Sequence, residues 1–436
     1  MIEKQTVCLR KLGGTRAAEV KLGRWLSNER VSMEELNFSV SKKTNSHVLG
    51  RHVLAIQDTT QLNYASKEGR INGLGPLGNA TTTKGFFLHP MLVIDADSKA
   101  CLGFSGIKCW VRDREIKGKA HGNIYKRQQV EMKESYRWIE TAEEAKRNLS
   151  AAEMITYISD RESDIYEFWA RIPDERTHLL IRMNQNRKTI EDESLKDAVN
   201  ELEVIGSYRI EIKRNTKKRK PREAEVELRF GEIEVKRPVK TTDAEAPAFL
   251  SLRVVDVREK GTTPKGEKPI HWCLLTTHEI ETVEDALEIV HWYAQRWHIE
   301  QLFRTLQKQG LDVESSQVEN IESLMKLIMV ACIAALQIMQ LVLSRDKEDQ
   351  SYTVVFDKQE KKLLSALQVN LEGKTIKQKN PHKVGTLTWA AWMIARLGGW
   401  KGYASESPPG PITMYDGFVR YQAIRVGWSL KDVCIE

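Results

Sequence analysis

MITYISDRESDIYEFWARI, Met154–Ile172, is the stretch that decides the fold. It reads as an apolar strand, a short polar turn at Asp160 and then a helix, the repeating unit of a mixed α/β layer. A second segment, HVLAIQDTT at His52–Thr60, is another short apolar run that ends on an aspartate. Outward from it, a Gly/Asn/Thr-rich stretch (Ile71–Gly85) leads into FFLHPMLVIDAD (Phe86–Asp97), which predicts two strands joined by a loop. CLGFSGIKCWVRD (Cys101–Asp113) predicts a further strand, and Lys126–Glu144 is charged and helical in pattern. The expected fold class is α/β.

Between about Asn186 and Thr276 the pattern turns to strands. YRIEIKR, AEVELRF, IEVKRPV and FLSLRVVDVRE alternate apolar and polar residues, the mark of half-buried sheet. Thr282 with Asp285 three residues on forms a capping box that opens one long helix, Val283 to about Lys308, and a second helix starts near Ile321. LTWAAWMIARL (Leu387–Leu397), stopped by Gly398 and Gly399, belongs to a small helical tail. These readings divide the chain into a helical N-terminal region over 1–46 and a first part of the core over 47–185. A β-rich insertion follows over 186–280, then the second part of the core over 281–345 and a helical C-terminal domain over 346–436.

At 436 residues the chain exceeds what one hydrophobic core fills, so two to four structural units are expected. With 41% hydrophobic and 29% charged residues it is a globular chain, neither disordered nor fibrous. The net charge of +7 favours an anionic partner, and its distribution says more. KRNTKKRKPR, Lys213–Arg222, lies between two alternating strands and predicts a hairpin tip that projects the positive charge of Lys217, Lys218, Arg219 and Lys220 toward an anionic partner, against the plainer reading of a solvated loop. Six cysteines without a CxxC pair or zinc-like spacing, and no secretory signal, point to a reducing cytoplasm. Leu324–Leu343 is nearly all apolar, but Lys326, Gln337 and Gln340 inside it favour a buried core helix over a membrane span.

Asp58 and Asp160 each end an apolar strand, where α/β layers build their sites. Carboxylates suit Mg²⁺, and phosphodiester chemistry in one class of enzyme uses two such ions. Singly, each aspartate could be a turn residue or a helix cap. A third element shifts the balance. In HWYAQRWHIEQLFRTLQ, Tyr293, Arg296 and Glu300 stand at i, i+3 and i+7, on one face of the expected long helix. A solvated Arg296/Glu300 salt-bridge stripe is the competing explanation.

On these residues the chain resembles the DDE transposases of bacterial insertion sequences, in the Tn-five branch with a Tyr-(2)-Arg-(3)-Glu-(6)-Lys signature. The strings that carry the resemblance are LAIQDTTQLNY, SDRESDIYEFW, LIRMNQNRK, WCLLT, YAQRWHIEQ and LTWAAWMIARLGGW, in that order along nearly the whole chain. The resemblance implies an RNase H-like catalytic core interrupted by a β-rich insertion. It implies catalytic, metal-binding roles for Asp58, Asp160 and Glu300, with two Mg²⁺ ions that Mn²⁺ can replace. Tyr293, Arg296 and Arg182 fall on phosphate-contacting positions, and Trp272 on the ring against which an extruded base stacks. A guanidinium grips phosphate bidentately and an aromatic face replaces lost base stacking.

The reaction so implied is four in-line displacements at phosphorus. Water nicks a strand at the element's end, the freed 3′ hydroxyl forms a hairpin, water opens it, and the 3′ hydroxyl joins target DNA. The partners implied are double-stranded DNA, as element ends and target, and a second copy of the chain, joined through the C-terminal helices in a synaptic complex. Two positions depart from the pattern. Gln307 stands where the signature has lysine, with Lys308 one residue on and turned by about 100° on a helix. Only 57 residues precede Asp58, so the first part of the family's end-reading helical domain has no counterpart. Hence a rival reading: an N-terminally shortened, non-transposing inhibitor that binds DNA and pairs with a full-length enzyme. A third is an RNase H-like nuclease without strand transfer.

Overall fold

The computed structural model describes all residues except 79–82, 113–127, 213–220, 242, 244, 308–309, 345–349, 404–405 and 432–436. Helices α1 (Leu9–Gly13), α2 (Arg16–Leu26) and α3 (Met33–His47) precede strands β1 (His52–Gln57), β2 (Thr60–Asn63), β3 (Gly75–Pro76), β4 (Lys84–Asp95) and β5 (Cys101–Trp110). There follow α4 (Arg137–Asn148), β6 (Met154–Ser159), α5 (Tyr166–Arg171), β7 (Thr177–Arg182), α6 (Leu195–Glu201), β8 (Gly206–Ile212), β9 (Arg222–Lys236), β10 (Phe249–Glu259) and β11 (His271–Thr276). Helices α7 (Val283–Ala294), α8 (Trp297–Leu306), α9 (Ile321–Ser344), α10 (Lys361–Leu371), α11 (Leu387–Leu397) and α12 (Pro411–Lys431) complete the chain. The class is mixed α/β, and the basic run around Lys217–Lys220 lies outside the described residues.

The elements fall into two compact units, one of Met1–His47, Thr59–Glu115 and His298–Glu436, the other of Val48–Asp58 and Ile116–Trp297. In the first, β4 is buried along almost its whole length and takes β2, β3 and β5 as antiparallel neighbours. Helix α3 is stitched onto β5 through side chains: the Asn37 amide accepts from the Ile107 N–H at 2.7 Å and donates to its carbonyl at 2.9 Å. The apolar helix α9 is long enough to cross a membrane, yet 72% of its most apolar window is buried. Its Lys326 ammonium is buried as well and donates to the Asn28 carbonyl at 3.1 Å, so the charge that marked it as a core helix has a partner.

In the second unit β1, β6 and β7 run parallel, and β11, β10, β9 and β8 extend the sheet from β7 as an antiparallel meander. The patterning follows from this arrangement. β1 and β6 are buried at every position after the first and read as continuous apolar runs. β8, at the outer end, alternates half-exposed and exposed positions, as one-sided antiparallel strands do. AEVELRF and IEVKRPV, expected as two strands, are one strand, β9, that passes through Gly231. Helix α4 is tied to β1, with the Thr141 hydroxyl donating to the Gln57 side chain at 2.8 Å.

The capping box forms as expected, Thr282 and Asp285 each accepting the other's backbone N–H. The long helix it was expected to open does not. α7 ends at Ala294 and α8 begins at Trp297. At the break the N–H groups of Gln295 and Arg296 reach back only three residues, to Trp292 and Tyr293, and the Gln295 side-chain amide takes the His291 carbonyl at 3.0 Å. A tightened last turn closed by a side chain ends the helix. Tyr293, Arg296 and Glu300 therefore do not share one helix face: Tyr293 is on α7, Arg296 in the turn and Glu300 on α8.

Candidate functional site

The second unit lines up three of the expected residues by register alone. β1 pairs with β6 up to Ile56 opposite Ile158, and β6 pairs with β7 up to Ser159 opposite Ile181. Carried on by two residues and by one, these registers set Asp58, Asp160 and Arg182 level, across neighbouring strands about 4.8 Å apart. All three leave the carboxyl ends of parallel strands, where open α/β sheets bind their ligands. Asp160 is not spent as a helix cap: its side chain makes no capping bond to the short 3₁₀ turn that follows.

Helix α7 and the turn after it bring two further side chains onto this row. The Tyr293 hydroxyl donates to Asp160 Oδ1 at 3.4 Å, and Arg296 Nη1 donates to Asp58 Oδ2 at 3.0 Å. The ion pair is partly open to solvent, the Arg296 side chain being 16% exposed and that of Asp58 24%. Burial, and next the Asp160 charge, push the Tyr293 phenol well above its ordinary pKa, so it stays a hydrogen-bond donor at any physiological pH. Burial lowers the pKa of Arg182, with Tyr293 pulling the other way, and Arg182 Nη2 donates to the His271 carbonyl at 2.7 Å. The half-buried Trp272 ring lies tilted against Tyr293, with centroids 6.3 Å apart. Asp58, Asp160, Arg182, Trp272, Tyr293 and Arg296 are thus gathered in one place.

Glu300 belongs to the other compact unit, half-buried on α8, whose apolar face is Ile299, Leu302, Phe303 and Leu306. Gln307 follows the end of that helix, and Lys308 lies outside the described residues. Among the described residues no group of three His, Cys, Asp or Glu side chains is gathered to hold a metal ion. A divalent cation nevertheless fits the donor chemistry of the row. Asp58 and Asp160 offer hard carboxylate oxygens, and each already draws a cation or a proton donor, Arg296 in one case and Tyr293 in the other.

Two clusters that position the site had no signal in the pattern. Asp164, four residues after Asp160, is fully buried and paired with buried Arg187 at 2.5 Å. Its carboxylate also accepts the N–H groups of Asn184 and Gln185, both at 2.7 Å, which fastens the segment after Arg182 to the turn after Asp160. Against Trp292 of α7, Thr156 Oγ1 stands between His52 Nε2 and His278 Nε2, 2.7 Å from each, and His178 stacks on His278 with centroids 4.0 Å apart. Trp292 packs edge-on against His52 at 4.7 Å, so these rings seat the helix whose next residue is Tyr293.

Residues 124–337 match the family model described as the transposase DDE domain. That stretch takes in Asp160, Arg182, Trp272, Tyr293, Arg296 and Glu300 and leaves Asp58 outside. Among solved structures, the chain is similar to the cryo-EM structure of the piggyBac transposase synaptic complex with hairpin DNA, at 10% identity and a TM-score of 0.35. The similarity covers 84% of this chain and 56% of that one, and it is too loose to carry a role for any residue.

Proposed function

We propose that the protein is a cut-and-paste DNA transposase of an insertion sequence, with Asp58, Asp160 and Glu300 as the metal-holding carboxylates of an RNase H-like core. The observation that carries this reading is the row at the carboxyl ends of β1, β6 and β7, where two carboxylates and an arginine stand level, within or beside a stretch that matches a transposase DDE domain. Mg²⁺, or Mn²⁺ in its place, would supply at these carboxylates activation of the attacking oxygen and stabilisation of the leaving one.

The remaining side chains bind and orient DNA. Arg182 and Arg296 grip backbone phosphates, Tyr293 adds a phenolic hydrogen bond, and Trp272 offers a ring to a base turned out of the stack. Lys217, Lys218, Arg219 and Lys220 track the backbone, which makes binding weaken steeply with salt. The reaction runs through a nick, a hairpin, its opening and strand transfer, in a cytoplasmic dimer paired through 346–436. The test is cleavage, with Mg²⁺ or Mn²⁺, of a duplex ending in the element's own inverted repeats. Wild type yields nicked and hairpin products, whereas Glu300→Gln and Asp160→Asn bind the duplex and yield neither, a loss of at least about a thousandfold. Undiminished cleavage by either variant overturns the reading.

A further inference from the structure

Each carboxylate on the row is held by a side chain that the proposed reading assigns to phosphate: Arg296 is on Asp58 at 3.0 Å and Tyr293 on Asp160 at 3.4 Å. The two donors arrive together, because α7 and the turn that closes it carry both. An Asp58 oxygen that receives a guanidinium cannot offer the same lone pair to a divalent ion, and the fixed positive charge beside it opposes a second cation. A phosphate competes for the guanidinium with the carboxylate, since each can present two oxygens to arginine's planar fork of N–H donors. Whatever draws Arg296 away from Asp58 therefore releases that carboxylate oxygen toward a metal, and whatever occupies the oxygen turns the guanidinium toward phosphate.

We propose that the Arg296–Asp58 pair is an autoinhibitory latch that couples metal binding to DNA binding, holding the carboxylate closed until a backbone phosphate takes the guanidinium. The inference rests on the reading of Asp58 as a metal ligand and Arg296 as a phosphate contact, and adds a mutual dependence between them. Thermodynamic linkage makes the coupling reciprocal: DNA tightens the metal by the same factor by which the metal tightens DNA. Tyr293, which leans on Asp160 through a longer and neutral hydrogen bond, contributes less to the latch than Arg296.

The experiment is Mn²⁺ binding to the full chain, followed by the electron paramagnetic resonance signal of the free ion, without DNA and with a 30-base-pair duplex of arbitrary sequence. Without DNA, Arg296→Gln is expected to bind Mn²⁺ tighter than wild type by on the order of tenfold. Arg296→Lys, which keeps the charge and loses the fork, gains less, and Arg182→Gln, whose guanidinium rests on a backbone carbonyl, gains least. The duplex tightens Mn²⁺ binding in wild type by a larger factor than in Arg296→Gln. The latch is overturned if Arg296→Gln binds Mn²⁺ no tighter than wild type while Asp58→Asn still weakens it. It is equally overturned if Arg182→Gln gains as much, which would make the effect general charge removal. If Asp58→Asn leaves Mn²⁺ affinity unchanged, the assignment of Asp58 as a ligand fails, and the latch with it.

Discussion

Asp160 and Asp164 are four residues apart in one turn, and the structure treats them in opposite ways. Asp164 is shut in: its carboxylate takes donors from Arg187, Asn184, Gln185 and the Trp169 indole, and neither its side chain nor that of Arg187 is more than 5% exposed. Asp160 sits at the rim, half-buried, and among the described residues its carboxylate is met by the phenol of Tyr293 at 3.4 Å. A carboxylate whose lone pairs are all taken by fixed protein donors is scaffold. One met by a single long bond at the mouth of a sheet can exchange its partner for a ligand. The same contrast separates Arg187, sealed on Asp164, from Arg296, which lies 16% exposed on a 24% exposed Asp58.

The largest stability effect should fall on the sealed side. Asp164→Ala strands a buried guanidinium and two backbone N–H groups, and is expected to cost about 3–5 kcal/mol in urea unfolding. Asp58→Asn, which removes a partly exposed pair, should cost no more than about 1 kcal/mol. Equal losses at the two positions would erase the distinction. The histidine seat of α7 gives the next effect. Burial, and then His178 and His52, depress the pKa of His278 to about 2, whereas the unfolded chain takes up that proton near the ordinary value of about 6.5. Below about 6.5 the unfolded state binds more protons, so stability is whole above that pH and is lost as pH falls toward 2. From pH 6.5 to 5 the loss is about 2 kcal/mol at most. The thermal midpoint of wild type should fall more steeply over that range than that of His278→Gln.

The strands and the rim were legible because their signals are local. An apolar run that ends on aspartate at Asp58 and again at Asp160, and a capping box at Thr282 and Asp285, need only a few adjacent residues. Tyr293 and Arg296 came from their spacing to Glu300, Arg182 and Trp272 with a resemblance, and the fold gathers the four with the two aspartates in one place. The clusters beneath them were not legible. His52, Thr156, His178 and His278 come from four segments, and only the tertiary fold makes them neighbours. The break at Gln295 was hidden for a different reason. Helical periodicity continues through it, so the pattern of 283–306 is that of one helix, and only the side-chain bond of Gln295 to the His291 carbonyl ends it. IEVKRPV misled in the opposite sense: Gly231 and Glu232 divide it from AEVELRF, yet cross-strand pairing with β10 carries one strand through both.

The smallest effect is the one that places Tyr293 on one side of the comparison or the other. Its ring is buried and leans on Trp272, as scaffold would, while its hydroxyl makes a single long bond to a rim carboxylate, as a replaceable partner would. Tyr293→Phe keeps the ring and deletes the bond. A hydrogen bond of this length to a carboxylate that water can reach instead is worth about 0.5 kcal/mol or less, since Asp160 recovers solvation when the phenol leaves. The variant should therefore unfold within about 0.5 kcal/mol of wild type while binding duplex DNA more weakly, by a factor that salt leaves nearly unchanged because the phenol carries no charge. A loss of 2 kcal/mol or more with unchanged DNA affinity would mean that the hydroxyl fixes α7 to β6, and that Tyr293 belongs with Asp164 among the residues that build the rim.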